Sequence, residues 1–414
     1  MSNEKKLLYV LAAVQFSHIM DFMVIMPLGP QLMTYFNITP QQFGFLVASY
    51  SLTAFISNIT MSFFADNFDR KTLLIGLYIG FLLGTLACGL APSFPLLLAA
   101  RSLTGLFGGL LSAVVFSIVG DTIPGERRAT AMGIVMTGFS LASVAGVPMG
   151  LYLASQFSWH MPFLSLVGFG AVVLLAIYIF VPSLTDHLSI VKKLSPFHIF
   201  QGIANDRSQQ FALLLNVMLI MGQFTVIPML ANYLVLNLGF TEQQTALPYL
   251  VGGAFTIITA PRIGRWADRI GKPKVFTIMT ILSTIPLFVL TNLPVVPLAV
   301  VLAVTTLFFI TISGRMVPAS AMIISTVPPE SRGGFMNISS ATVQLSAGLA
   351  STISGLIVTQ SADKQLQHYN IAGFVAVGFT LLAIYVGNAI DRHRKPAPEP
   401  VLEMEDILDA PSAN

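Results

Sequence analysis

What most constrains this chain is a recurrence of uncharged apolar runs of roughly twenty residues, the length at which a helix crosses the hydrocarbon core of a bilayer. Twelve such runs lie at about 7–29, 42–65, 72–91, 95–119, 129–154, 161–181, 210–236, 243–263, 274–292, 295–322, 335–359 and 369–390. Only 9% of the 414 residues are charged, where a soluble protein carries about 25%. A soluble helical protein of this size needs charged faces and amphipathic stripes, and the sequence shows neither. Proline and glycine inside the runs are tolerable, because neighbouring helices satisfy the freed backbone groups. The expected fold class is an all-α membrane protein with twelve transmembrane helices.

The basic residues set an expected orientation. With the N-terminus in the cytoplasm, the inside segments hold Lys5, Lys6, Arg127, Arg128, Lys192, Lys193 and most of the other Lys and Arg, while Lys364 alone lies outside. Both termini are therefore expected in the cytoplasm, with the protein a multi-pass component of the inner membrane. The first run continues into the bundle without a small-residue cleavage site, so it reads as a span and not a removed signal. A single cysteine, Cys88, excludes an intramolecular disulfide.

The chain repeats itself. "FADNFDRKTLL" (64–74) matches "WADRIGKPKVF" (266–276) at an offset of 202, and "IPGERRATAMG" (123–133) matches "VPPESRGGFMN" (327–337) at 204. Two matches at nearly one offset give two pseudo-symmetric six-helix halves. The expected division is 1–181, a cytoplasmic linker at 182–208, 209–391, and a disordered tail at 392–414, where five acids and four prolines follow Lys395. Carriers built from such repeats hold their substrate at mid-membrane between the halves.

Within the first run, from Leu7 to Leu28, Asp21 is the one full charge. A charge at mid-span costs roughly 2.5–3.5 kcal/mol on insertion scales, so a carboxyl there calls for a reason. The repeat pairs Asp21 with Gln223, which places a polar side chain from each half at one depth facing a central cavity. Only one of the two ionises, which points to a function confined to the first half. Asp21 can hold a proton, attract a cationic substrate, or serve as a structural acid. His18 lies about 60° away on the same helix, either sharing that proton or resting neutral on a backbone carbonyl.

At this point the chain resembles the major facilitator superfamily over essentially its whole length. "SFFADNFDRK" (62–71) and "GRWADRIGK" (264–272) are similar to the family's loop signature, with Ser62, Asn67 and Asp69 departing from it. "RSLTGLFGG" (101–109) resembles the Arg-x-x-x-Gly segment of proton-coupled members. "GFSLASVAGVPMG" (138–150) resembles the helix-five antiporter signature, with the altered spacing of the drug and sugar efflux branch related to arabinose-efflux permeases. The resemblance implies that Arg101 lies close to helix 1 and partners Asp21. It implies that Asp66, Arg70, Lys71, Asp121, Asp268 and Arg269 form a latch that clamps the halves in one conformation. Gly138, Gly146, Pro148 and Gly150 are expected to bring helix five close to a neighbour, as a seal, a hinge or plain tight packing.

Arg315 has no charged counterpart in the first half, since the repeat pairs it with Ser112. It is either an anion-binding residue in the cavity or a buried structural partner. Phe22, Phe139, Phe224, Tyr233 and Tyr249 are candidate cavity residues beside Asp21, Gln223 and Arg315. No phosphate loop, metal cluster or nucleophile elbow is present, so the chain is read as neither an enzyme nor an ATP-driven pump. The expected cofactors are none, with a proton gradient as energy source. The expected partners are a small-molecule substrate, protons and the lipid bilayer, with no nucleic acid, and the chain is expected to work as a monomer. The function expected is proton-coupled export of a small amphipathic compound. A sugar or metabolite facilitator or symporter, a lysolipid flippase, and a non-transporting membrane sensor are the rivals.

Overall fold

The structure, a computed structural model, describes residues 3–61, 68–185, 201–327 and 332–393. Asp66, most of the expected linker and the tail beyond His393 fall outside them. In the first half, helix 1 runs Asn3–Val24 and resumes as Gly29–Phe36. Helix 2 is Pro40–Met61, helix 3 Arg70–Gly89 and helix 4 Phe94–Thr122. Helix 5 consists of Gly125–Leu141, a π turn Ala142–Gly146 and Val147–Gln156, and helix 6 is Met161–Phe180. In the second half, helix 7 runs Arg207–Phe224 and then Ile227–Leu236. Helix 8 is Ala246–Ile270, helix 9 Lys272–Thr291, helix 10 Leu298–Ile324, helix 11 Arg332–Ile357 and helix 12 Tyr369–His393.

Eleven of these helices are long and apolar enough to cross a membrane. Helix 11 is as long as the others but more polar. It turns Ser339, Ser346, Ser351 and Ser354 inward, where all four are buried. Helices 1 and 7 break at matching depths. Proline lacks the N–H that would continue the ladder. Pro27 falls in the break of helix 1, and Pro30 and Pro228 sit in the first turns of the resumed segments.

The two ends of the bundle are built differently. At the end away from the linker, both halves share one apolar core. Val24, Leu28 and Leu32 from the first half pack in it with Val226, Leu230 and Leu234 from the second. At the linker end each half has its own core, one around Leu74, Val115 and Ile118, the other around Leu215, Phe276 and Phe335. At the far end a Cβ on Gly44 of helix 2 would meet the Gly355 Cα of helix 11 at 2.8 Å, so the two backbones touch. There Gln31 also donates a hydrogen bond to the Glu242 carboxylate of the other half. Helix 8 meets helix 5 along the π turn and the segment after it. The bundle is thus sealed at one end, and its halves have separate interiors at the other.

Candidate functional site

Asp21 does not line a cavity between the halves. Its carboxylate points into the first half and has no exposure. There Arg101 Nη1 of helix 4 donates to its Oδ2 at 2.6 Å, and Thr85 Oγ1 of helix 3 donates to its Oδ1 at 3.3 Å. The Arg101 guanidinium carbon lies 4.9 Å from the centre of the Tyr50 ring on helix 2, a cation–π contact. Helices 1 to 4 thus converge on one buried ion pair. The Gly105 of the Arg-x-x-x-Gly segment allows it, because a Cβ at that position would lie 2.2 Å from the Tyr50 carbonyl oxygen. The missing side chain lets helix 2 approach until the Tyr50 ring covers Arg101. Arg101 Nε and Nη2 have no hydrogen-bond partner among the described residues.

His18 does not reach Asp21. Its Nε2 lies 3.0 Å from Gln15 Oε1 and 3.0 Å from Ser112 Oγ, forming a polar cluster between helices 1 and 4 nearer the linker end. The repeat maps Ser112 onto Arg315, and Arg315 is placed correspondingly inside the second half. It is fully buried, so it is not a cavity residue. It donates to Ser283 Oγ at 3.2 Å, to Thr380 Oγ1 at 3.0 Å and to the Leu219 carbonyl at 3.4 Å. Among the described residues no carboxylate pairs with it.

Where the halves meet beside Asp21, aromatic groups pack instead. Phe22, next to Asp21, meets Phe224 of the other half with ring centres 5.9 Å apart, and also packs on Tyr50 at 5.2 Å. Gln223 is half-buried beside Phe224, and Phe139 on helix 5 is exposed. Tyr233 belongs elsewhere. It is packed in the sealed end, donating to the Leu293 carbonyl at 2.6 Å and lying against Tyr369. Tyr249 is also buried and packs on Phe309, and its hydroxyl has no partner among the described residues.

The helix-five glycines lie along helix 1. A Cβ on Gly138 would come 2.3 Å from the Ala12 carbonyl oxygen, one on Gly146 would meet Met20 at 3.2 Å, and one on Gly150 would meet Val24 at 2.7 Å. The chain between them takes the wider π turn just before Pro148, a usual place for such a bulge where a helix must re-aim. Inside that turn Val144 faces the other way, and a Cβ on Gly253 of helix 8 would touch it at 2.8 Å. Helix 5 is therefore clamped to the helix that carries Asp21 on one side and to the second half on the other.

The expected latch residues make their described contacts within the first half, not across it. Arg70 Nε pairs with Asp121 at 3.2 Å, joining helices 3 and 4, and Lys71 donates to the Tyr178 carbonyl of helix 6 at 2.8 Å. Asp268 and Arg269 are exposed at the end of helix 8. Asp69, a departure from the loop signature, caps helix 3. It accepts from the Thr72 amide at 3.0 Å and the Leu184 amide at 2.6 Å, and so fastens the chain leaving helix 6. Burial pushes this carboxyl up, but the donors from Leu184, Thr72 and Ser183 overcome it and pull it down to about 2.

Sequence reasoning missed Tyr50, Thr85, Gln15 and Ser112. The one available signal was the polar cluster Gln15–Ser17–His18 preceding Asp21 on helix 1.

The profile of the Major Facilitator Superfamily matches residues 11–209 and 212–411. A relative from Bacillus subtilis (strain 168), the uncharacterized MFS-type transporter YceJ, is 24% identical over 362 residues, covering 87% of this chain and 90% of its own. The inward-facing, unoccupied crystal structure of a bacterial homolog to the human lysosomal transporter Spinster superposes with a TM-score of 0.78 at 16% identity. That match covers 96% of this chain and all of the other. The D-xylose-proton symporter does so at 0.73 and 18%, covering 92% and 96%. Twelve helices in two halves, a matching profile across both of them and relatives aligned nearly end to end lead to one statement: this chain is a secondary transporter of the major facilitator superfamily.

Proposed function

We propose that the protein couples movement of protons to export of a small amphipathic compound by alternating access, with Asp21 as the proton site. The observation that carries this reading is the Asp21–Arg101 pair, two opposite charges at 2.6 Å with no exposure. A buried pair is poorly repaid for its desolvation, so it persists in a carrier when one partner has to change charge. Protonation of Asp21 removes the negative charge that holds Arg101. Helix 1 is then free to shift against helix 4. Because helix 5 rests on helix 1 at Gly138 and on helix 8 at Val144, that shift reaches the second half. Phe22 adjoins Asp21 and meets Phe224, so the proton site and the substrate gap are neighbours without being the same place.

Phe22, Phe224 and Gln223, where the halves meet, carry no full charge, which suits an amphipathic solute with at most a delocalised charge. Asp21 is thus a proton carrier and not a direct partner of substrate. With both termini in the cytoplasm of a bacterial inner membrane, the sealed end faces outward and the conformation is open toward the cytoplasm. The loop residues Asp66, Arg70 and Asp121 would clamp the opposite conformation. The protein works as a monomer on this reading. A proton symporter of a sugar or metabolite would use the same ion pair, with substrate and proton moving in one direction.

Transport of a fluorescent lipophilic cation in proteoliposomes under an imposed pH gradient tests the reading, comparing wild type with Asp21→Asn. Wild type moves dye against the proton flow, while the variant loses gradient-driven movement but still exchanges dye for dye. Gradient-driven transport that survives in Asp21→Asn removes Asp21 as the coupling residue. Dye moving with the protons selects the symporter. No dye movement in either protein removes the amphipathic cation as a substrate.

A further inference from the structure

Helix 8 carries a cluster that the proposed coupling does not use and that topology alone does not explain. Arg262, Arg265, Trp266 and Arg269 surround one shallow cleft on its surface. All four are exposed. Among the described residues none of the three arginines pairs with a carboxylate. Asp268 lies three residues on from Arg265, about 60° round the helix, but makes no ion pair with it among the described residues and lines a neighbouring cleft with Lys272. Arg262 is held by its own helix, donating from Nη1 to the Ile258 carbonyl at 2.8 Å.

Direction decides what this cluster faces. Gly253 marks the side of helix 8 turned toward the other half. At about 100° per residue, the three arginines lie about 120–180° round the helix from it, on the outer wall of the bundle and not in the gap between the halves. The same outer stripe continues along the helix as Phe255 and Ile258, 48% and 53% exposed. Apolar surface of that kind suits acyl chains. Where it ends, an indole and three guanidinium groups begin, spread over about 10 Å of helix. Indole rings favour the membrane–water boundary, and guanidinium groups bind phosphate oxygens through paired, charge-assisted hydrogen bonds. A topology signal alone needs charges in the loop, not three on one face of the helix around a cleft.

We propose that Arg262, Arg265, Trp266 and Arg269 form a binding site for the phosphate headgroup of an anionic phospholipid, whose acyl chains lie along Ile258 and Phe255. Free phosphate shares the headgroup chemistry, but it has no use for the apolar stripe.

Trp266 itself reports the outcome. The protein is reconstituted in phosphatidylcholine vesicles in which roughly one-tenth of the lipid is replaced by brominated phosphatidylglycerol or by brominated phosphatidylcholine. Emission of Trp266→Phe supplies the contribution of Trp159 for subtraction. Brominated phosphatidylglycerol quenches Trp266 at least about twofold more than brominated phosphatidylcholine, the enrichment expected from electrostatic attraction of this size. Arg262→Gln/Arg265→Gln/Arg269→Gln abolishes the difference. Equal quenching by the two lipids in the unmutated protein overturns the proposal and does not depend on any variant folding. Loss of the excess quenching on adding inorganic phosphate, with sulfate as the ionic-strength control, overturns it in favour of a free-phosphate site.

Discussion

At the scale of single residues, the weight falls on Asp21 and Arg101. Removing one member of a buried ion pair strands the other charge, at a cost of about 3–5 kcal/mol, whereas removing both is often tolerated. Asp21→Asn and Arg101→Gln are each expected to melt earlier in detergent by that order, and the double variant to regain most of the loss. Additive losses would mean that the 2.6 Å contact does not hold the two residues as a unit. Asp21 was legible in the sequence because a lone carboxylate in an apolar run has to be explained. Its direction was not. The residues around it are nearly all apolar, so hydropathy does not fix how helix 1 is rotated, and the repeat pointed Asp21 at the cavity; only the resemblance of the Arg101 segment pointed to the partner it faces. Thr85 was invisible for a related reason: a threonine hydroxyl in a membrane helix satisfies itself on its own backbone as readily as on a neighbour. Tyr50 was invisible because its part is a ring contact with Arg101, and an aromatic ring in an apolar run does not announce a cation. The inward turn of Arg315 follows from Ser283 and Thr380, which lie on two other helices.

At the scale of elements, most helix spans were legible to within a few residues, because span length follows from bilayer thickness; helix 8 runs seven residues beyond its apolar run, to Ile270, and helix 1 resumes as far as Phe36. What escaped was how elements are fastened. Asp69 looked like a loss from the loop signature, yet it caps helix 3 and anchors the chain after helix 6 at Leu184. Asp69→Ala is expected to lower stability by about 0.5–2 kcal/mol and Asp69→Asn by less, as for other N-caps. The folded carboxyl titrates at about 2, below its ordinary value of 3.8. Its stabilisation is therefore complete above the ordinary value and fades as the pH falls through that window toward 2. The penalty of Asp69→Ala, read from thermal melts, should stay constant between roughly pH 5 and pH 8 and shrink only in stronger acid. A penalty that changes near neutrality would mean that the carboxyl is not held low. The helix-five signature was legible as glycines and a proline, but the π turn between them was not, since a bulge depends on the helices on either side.

At the scale of the whole molecule, the two ends differ in kind, and this asymmetry of packing is what a carrier needs to be closed on one side at a time. Gln31 and Glu242 bridge the halves at the sealed end. In a Cys88→Ala background, Gln31→Cys with Glu242→Cys joined by a short bismaleimide is expected to stop transport. A reducible linker of the same length should restore it on reduction. Transport that continues with the cross-link complete would show that this end does not have to open. Twelve spans and a repeat made the two-half plan readable from sequence. Which end closes was not readable, because both ends of the bundle are built from the same apolar residues. The shared core at that end also bears on chain connectivity. The backbones of helices 2 and 11 meet at Gly44 and Gly355, and one apolar interior runs through both halves. The halves are thus partners by surface and not merely by covalent attachment. Two separately made halves are therefore expected to associate through this surface, which co-purification of residues 1–181 with residues 209–414 checks.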